Sequence, residues 1–180
     1  MTLIETQEPR FEFRSFGKDF SLQAKKMKQL SGPVPKNVRA RKSKEIYIIS
    51  ITNDIANTKI RDDKIDIKRL IQTKDSLEQW EPVTKTGFPV LKEYLLNQFF
   101  PSLSAISPIL YNNFYSVSAF IKIIDDHKDL CAIHVSKERF GYMVNKTICE
   151  VANVTINNTR LVTISSESID TGAVKKTLID

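Results

Sequence analysis

Charged side chains stand at alternate positions in several stretches that otherwise read as β-strand: Arg10, Glu12 and Arg14; Lys59 and Arg61; Lys68; Lys137 and Arg139; and Glu150. A strand turns successive side chains to opposite faces, so residues spaced by two share one face. If these faces converge, the basic groups can hold phosphate oxygens through charge-assisted hydrogen bonds, and the carboxylates can hold a divalent cation. A solvated outer sheet face carries the same pattern, and periodicity alone leaves both readings open.

Other reactive constellations are thin. His127 and His134 stand seven apart with no third ligand in a recognisable motif, which reads as one surface and one strand histidine. The serines of 102–107 and 165–168 lack the Gly-x-Ser-x-Gly context of a nucleophile elbow, and the five glycines form no phosphate-cradling loop. Cys131 and Cys149 are too few for a disulfide framework or a zinc site, and read as two buried or half-buried free thiols.

The elements that must position the charged pairs follow from periodicity. Arg10 to Phe16 alternates charged and aromatic residues, a strand with Phe11 and Phe13 opposite its charged face. Apolar residues at helical spacing from Lys18 to Leu30, stopped by Ser31-Gly32-Pro33, predict a helix, and a basic loop follows from Lys36 to Lys44. Glu45 to Ile51 reads as a buried strand, Thr58 to Gln72 as two strands hinged at Asp62-Asp63-Lys64, and Leu77 to Val83 as a short strand around Trp80. Helical patterns cover Val90 to Phe100 and Val117 to Asp126. Ala132 to Val144, Thr147 to Ile156 and Thr159 to Ser166 then form an antiparallel meander, the last two joined through Asn157-Asn158. Asp170 is placed to cap a short helix ending at Asp180, so the chain stops in or just after a helix, as one truncated at its C-terminus would.

Composition bounds what this framework does. With 180 residues, 41% hydrophobic and 27% charged, residues 1–180 are expected to form a single folded domain. The opening MTLIETQEPRFEF is acidic where a signal peptide is basic, and no run approaches a membrane span, so the expected location is the cytoplasm. The formal charge is +6, yet residues 1–44 carry eleven Lys or Arg against four Asp or Glu. Attraction for anions therefore begins near the N-terminal segment. The run from Lys36 to Lys44, with five basic residues and no acid, would suit nucleic-acid phosphates, although such a run is more often a solvated loop.

The order of segments resembles the CYTH superfamily, or triphosphate tunnel metalloenzymes, which includes class IV adenylate cyclases, thiamine triphosphatases and inorganic triphosphatases. The family's opening Glu-x-Glu-x-Lys strand is matched in position by Arg10-Phe11-Glu12-Phe13-Arg14. Its basic hairpin is matched by Lys59-Ile60-Arg61 and Asp66-Ile67-Lys68, its Lys-x-Arg strand by Lys137-Glu138-Arg139, and its next carboxylate strand by Ile148-Cys149-Glu150-Val151. The closing Glu-x-Glu strand falls near Thr163 to Glu167.

The resemblance implies an α+β protein, mainly an eight-stranded antiparallel β-barrel forming a tunnel, with flanking helices. In it Arg10, Arg14, Lys59, Arg61, Lys68, Lys137 and Arg139 would bind an inorganic or nucleoside triphosphate. Glu12 and Glu150 would be the catalytic carboxylates, and Glu12, Glu150 and Glu167 would hold magnesium or manganese. If the protein is an enzyme, it would be a divalent-metal-dependent triphosphatase or a related phosphoryl-transfer enzyme. Two departures weigh on the reaction: Arg10 stands where the family places its first glutamate, and Thr163 and Ser165 replace acids on the closing strand. Metal-assisted phosphoryl transfer needs carboxylates to hold its cation. The expectation is a polyphosphate binder before a hydrolase, with a non-catalytic nucleic-acid or protein-binding module as the alternative.

Overall fold

The structure, a computed structural model, describes residues 8–180. The segment Met1 to Gln7, part of the opening read above as unlike a signal peptide, lies outside them. Eight strands form a barrel: β1 (Arg10–Gly17), β2 (Arg41–Ser50), β3 (Ala56–Arg61), β4 (Lys64–Lys74), β5 (Leu77–Gly87), β8 (Leu130–Val144), β9 (Thr147–Ile156) and β10 (Thr159–Ser168). A short hairpin, β6 (Val90–Leu91) and β7 (Phe114–Tyr115), stands apart from them. The barrel strands follow the closed order β1-β10-β9-β8-β2-β3-β4-β5, with β5 returning to β1 in antiparallel pairing. The barrel implied by the resemblance is therefore formed. No described helix is long and apolar enough to cross a membrane.

Four of the hairpins close through two-residue turns: Asp62-Asp63, Asp75-Ser76, Asn145-Lys146 and Asn157-Asn158. All eight of these residues have positive φ, between 47° and 67°. That is the type I′ geometry, whose twist matches the flanking strands, and Asn and Asp enter it at low steric cost. Fixed loop lengths in turn fix register, and register decides which side chains share a face.

The chain forms two compact units. One comprises Glu45–Leu70 and Pro82–His134. Here Ile48, Ile60, Ile65 and Ile67 of β2, β3 and β4 occupy one side of the strands, and helical residues Leu95, Phe99, Phe100, Phe120 and Ile124 complete a core with them. Phe99 packs edge-on against Phe120 at 4.8 Å and against Phe100 at 5.1 Å. Burying each such side chain contributes roughly 1.5–3 kcal/mol. Because the isoleucines alternate with Glu45, Tyr47, Lys59, Arg61, Asp66 and Lys68, this core commits the polar residues to the opposite face.

The predicted helix from Val90 is corrected at its start, since Val90–Leu91 is instead the strand β6, paired with β7. The helix follows as α2 (Lys92–Tyr94), a π turn at Leu95–Phe99 and α3 (Phe100–Ser102). Pro101 lacks the N–H that would continue α-helical bonding there. The helix predicted at Val117 to Asp126 is α4 (Val117–Asp125), capped by the Ser116 hydroxyl, which accepts from the Ala119 amide.

The other unit comprises the described part of Met1–Lys44, with Ile71–Glu81 and Val135–Asp180. The helix predicted from Lys18 begins at Ser21, where Asp19 accepts from the Ser21 amide and hydroxyl, so α1 is Ser21–Leu30. The loop predicted from Lys36 to Lys44 is shorter, since Arg41 already starts β2. Cys149 is buried as expected, and burial pushes its thiol pKa up. Cys131, which belongs to the unit built on Glu45–Leu70 and Pro82–His134, is exposed, contrary to expectation, because the adjacent Leu130 takes the core side of β8. The final helix α5 (Thr171–Ile179) is capped as predicted: the Gly172 amide donates to Asp170 Oδ1 at 2.8 Å. Asp170→Ala should lower stability by about 1 kcal/mol in urea titration. An unchanged midpoint would show that α5 does not depend on this cap.

Candidate functional site

In the unit that contains both termini of the described chain, strand register assembles one polar face from four strands. Arg14 stands opposite Ser165, Ser165 opposite Glu150, and Glu150 opposite Gly141. Arg10 and Glu12 on β1, Thr163 and Glu167 on β10, and Lys137 and Arg139 on β8 share that face by alternation.

Glu150 is its hub. Its Oε1 lies 2.5 Å from Lys137 Nζ and 3.9 Å from Arg14 Nη1, and its Oε2 lies 3.3 Å from Arg139 Nη1. Burial pushes the Glu150 carboxyl up, but Lys137, Arg14 and Arg139 outweigh burial and hold it below the usual carboxylate range. Two further pairs complete the face: Arg14 Nε with Glu12 at 2.6 Å, and Arg10 Nη1 with Glu167 at 3.1 Å. Glu12 and Glu167 lie directly opposite each other across β1 and β10. Unpaired, like charges so placed would destabilise the sheet, and each carboxylate has its own guanidinium.

The unit built on β2, β3 and β4 has its own polar face. Glu45 is its buried carboxylate, 3.5 Å from Arg61 Nη1 and 4.0 Å from Lys59 Nζ, and it accepts from the Tyr47 hydroxyl at 3.2 Å. Asp66 lies 4.0 Å from Arg61 Nη2. Lys68 has no ion pair among the described residues. Burial lowers the Lys59 pKa to about 8; Glu45 opposes the shift, while Arg61 and Lys68 add to it. A buried ammonium short of compensating charge can accept an anion.

Sequence reasoning located Arg10, Glu12, Arg14, Lys137, Arg139, Glu150 and Glu167, which come together on the first face, and Lys59, Arg61 and Lys68, which come together on the second. It missed Glu45 and Tyr47, whose alternation with Ile46 and Ile48 was the available signal. It also missed Gly141, opposite Glu150.

A divalent cation asks for several oxygen donors converging without competing cations. Glu12, Glu150 and Glu167 are each engaged by basic side chains, and no three His, Cys, Asp or Glu residues among those described gather as a metal site. As arranged, these carboxylates do not fit magnesium or manganese.

No protein-family model and no curated protein matches the chain. Among solved structures, a candidate adenylyl cyclase from Hippeastrum, described as having a dominant triphosphatase activity, aligns at 9% identity and a TM-score of 0.49, covering 94% of this chain and 84% of that one. A candidate adenylate cyclase from Bacillus halodurans aligns at 11% identity and a TM-score of 0.47, covering 94% and 87%.

Proposed function

We propose that the protein binds a compact linear polyanion, an inorganic or nucleoside triphosphate, through a basic strand face of the kind described above. The supporting observation is a surplus of cations, all of them half-buried except the exposed Arg14. Arg10, Arg14, Lys137 and Arg139 face three carboxylates, and Lys59, Arg61 and Lys68 face two, with the Lys59 pKa lowered to about 8. Phosphate oxygens would supply the missing negative charge and accept several charge-assisted hydrogen bonds. Because the carboxylates are committed to guanidinium and ammonium partners, the reading is of a binder, and no hydrolytic step is assigned to them.

A ligand that binds only the native state stabilises it by RT ln(1 + [L]/Kd), about 2.7 kcal/mol at a hundredfold excess over Kd. Tripolyphosphate should therefore raise the melting temperature beyond a sulfate control at equal ionic strength. No difference from sulfate would sink the proposal. Phosphate release with magnesium or manganese should stay at background, and robust turnover would replace the binder reading with a hydrolase.

The exposed lysines of α1 and the following segment, Lys25, Lys26, Lys28, Lys36, Lys42 and Lys44, keep the nucleic-acid reading as the alternative. Binding to a single-stranded oligonucleotide, weakening steeply with salt and indifferent to tripolyphosphate competition, would favour it.

A further inference from the structure

The segment from Ser31 to Arg39 lies against the Glu150 face. At one end it is tied to β8: the Gly32 amide donates to the Met143 carbonyl at 2.9 Å, and the Met143 amide donates to Ser31 Oγ at 3.1 Å. At the other end a tight turn forms, with the Val38 amide donating to the Pro35 carbonyl at 2.9 Å. Val38 is the segment's buried residue, while Lys36, Asn37 and Arg39 around it are exposed. A Cβ at Gly141 would lie 1.8 Å from the Val38 carbonyl oxygen and 2.8 Å from its carbon. Only glycine therefore allows the strap to rest on β8 at this point, directly across from Glu150.

The strap also holds Arg139. Arg139 Nη2 donates to the Asn37 carbonyl at 3.0 Å, while its Nε is buried with no acceptor among the described residues. Nε and Nη2 form one fork of a guanidinium, the edge that matches two phosphate oxygens. Here one prong meets a neutral carbonyl and the other meets no acceptor among the described residues.

We propose that the strap Ser31–Arg39 is a built-in competitor that closes the Glu150 face, and that a phosphate group displaces the Asn37 carbonyl to take both prongs of Arg139. This inference rests on the polyanion-binding reading and adds its regulation. Among the described residues the strap is held by two hydrogen bonds to the β8 backbone, one to the Arg139 side chain and one buried valine, so a phosphate making two charge-assisted bonds can compete with it. Apparent affinity is then reduced by the fraction of molecules in which the strap is closed.

The test is hydrogen exchange on the full-length protein with and without tripolyphosphate, beside titrations of wild type, Gly141→Ala and the milder Val38→Gly. Binding should speed exchange at the Gly32 and Val38 amides while slowing it on β8, β9 and β10. Val38→Gly, which loosens the strap, should bind tripolyphosphate about tenfold more tightly. Gly141→Ala, if it folds, should show the strap already open without ligand. Tripolyphosphate binding that leaves both strap amides protected would overturn the strap alone. Binding by neither wild type nor variants would overturn the polyanion reading and the strap with it. Binding by the loosened variant only would overturn displacement of the strap by phosphate.

Discussion

Glu150→Gln should lower the stability of the protein by about 3 kcal/mol and at the same time enlarge its response to tripolyphosphate. The first effect follows from what the carboxylate compensates. Lys137, Arg14 and Arg139 all approach Glu150, and Lys137 has no other ion pair among the described residues. Breaking a largely buried ionic cluster from one side leaves charge without compensation, which is far more costly than losing an exposed pair. In a chain of this size that loss corresponds to a fall in melting temperature of roughly 6–12 °C.

The second effect separates a binder from a metal enzyme. The neutral amide introduced by Glu150→Gln would neither repel phosphate nor neutralise the three cations, so the tripolyphosphate-induced rise in melting temperature should exceed that of wild type. A carboxylate acting as a metal ligand predicts the reverse, a weaker response whenever magnesium or manganese is present. The wild-type contribution also has a pH signature. With its folded pKa below the unfolded value, Glu150 stabilises the fold fully above the ordinary carboxylate range, and this stabilisation is lost as pH falls through the depressed pKa. The glutamine variant should lack that part of the acid profile. An unchanged midpoint at neutral pH would show that the cluster is energetically idle.

Much of this arrangement was legible in the sequence because β-structure encodes faces in parity. Arg10, Glu12 and Arg14 against Phe11 and Phe13, or Lys59 and Arg61 against Ile60, state which side chains travel together wherever the strand ends. The turns at Asp62-Asp63 and Asn157-Asn158 were readable for the same local reason. Asp75-Ser76 and Asn145-Lys146 adopt the same geometry with residues less marked for it, and β5 runs on to Gly87, beyond the end the sequence suggested.

Tertiary relations were not legible. Glu45 lies in a run, EIYIISI, whose apolar weight conceals the fact that its acidic residue serves two cations from a neighbouring strand. Gly141 reads as an ordinary strand glycine until the Val38 carbonyl is found where its side chain would be. Val90–Leu91 fits a helical pattern and forms a strand because Phe114–Tyr115 offers it a partner. In each case the deciding atom belongs to a residue distant in the chain.

Lys59 carries the other large prediction, in which stability and binding move in opposite directions. Its folded pKa of about 8 lies below the 10.5 of an unperturbed lysine, chiefly because burial disfavours the ammonium. Below pH 8 the folded and unfolded chains both hold the proton, and the cost of burying the charge is fully present. Between about 8 and 10.5 the unfolded chain holds a proton that the folded chain has lost, so stability should rise with pH across this window. The rise from this one group is on the order of 3 kcal/mol. Lys59→Met keeps the aliphatic length without the charge, and Glu45 retains Arg61 as a partner at 3.5 Å. The variant should therefore be more stable than wild type at pH 7 by up to about 3 kcal/mol, and should lose the alkaline rise. Polyanion affinity should respond the other way. A phosphate near Lys59 favours the ammonium and raises its pKa, so binding at pH 8 takes up protons, and affinity falls above pH 8 by at most about tenfold per pH unit. Calorimetry at pH 8 in buffers of different ionisation enthalpy measures that uptake directly. Wild type should take up part of a proton, and Lys59→Met should take up none at this site and bind more weakly. If wild-type affinity stays level from pH 7 to 10 while Lys59→Met binds as tightly as wild type, Lys59 is a buried liability of the fold and the anion lies elsewhere.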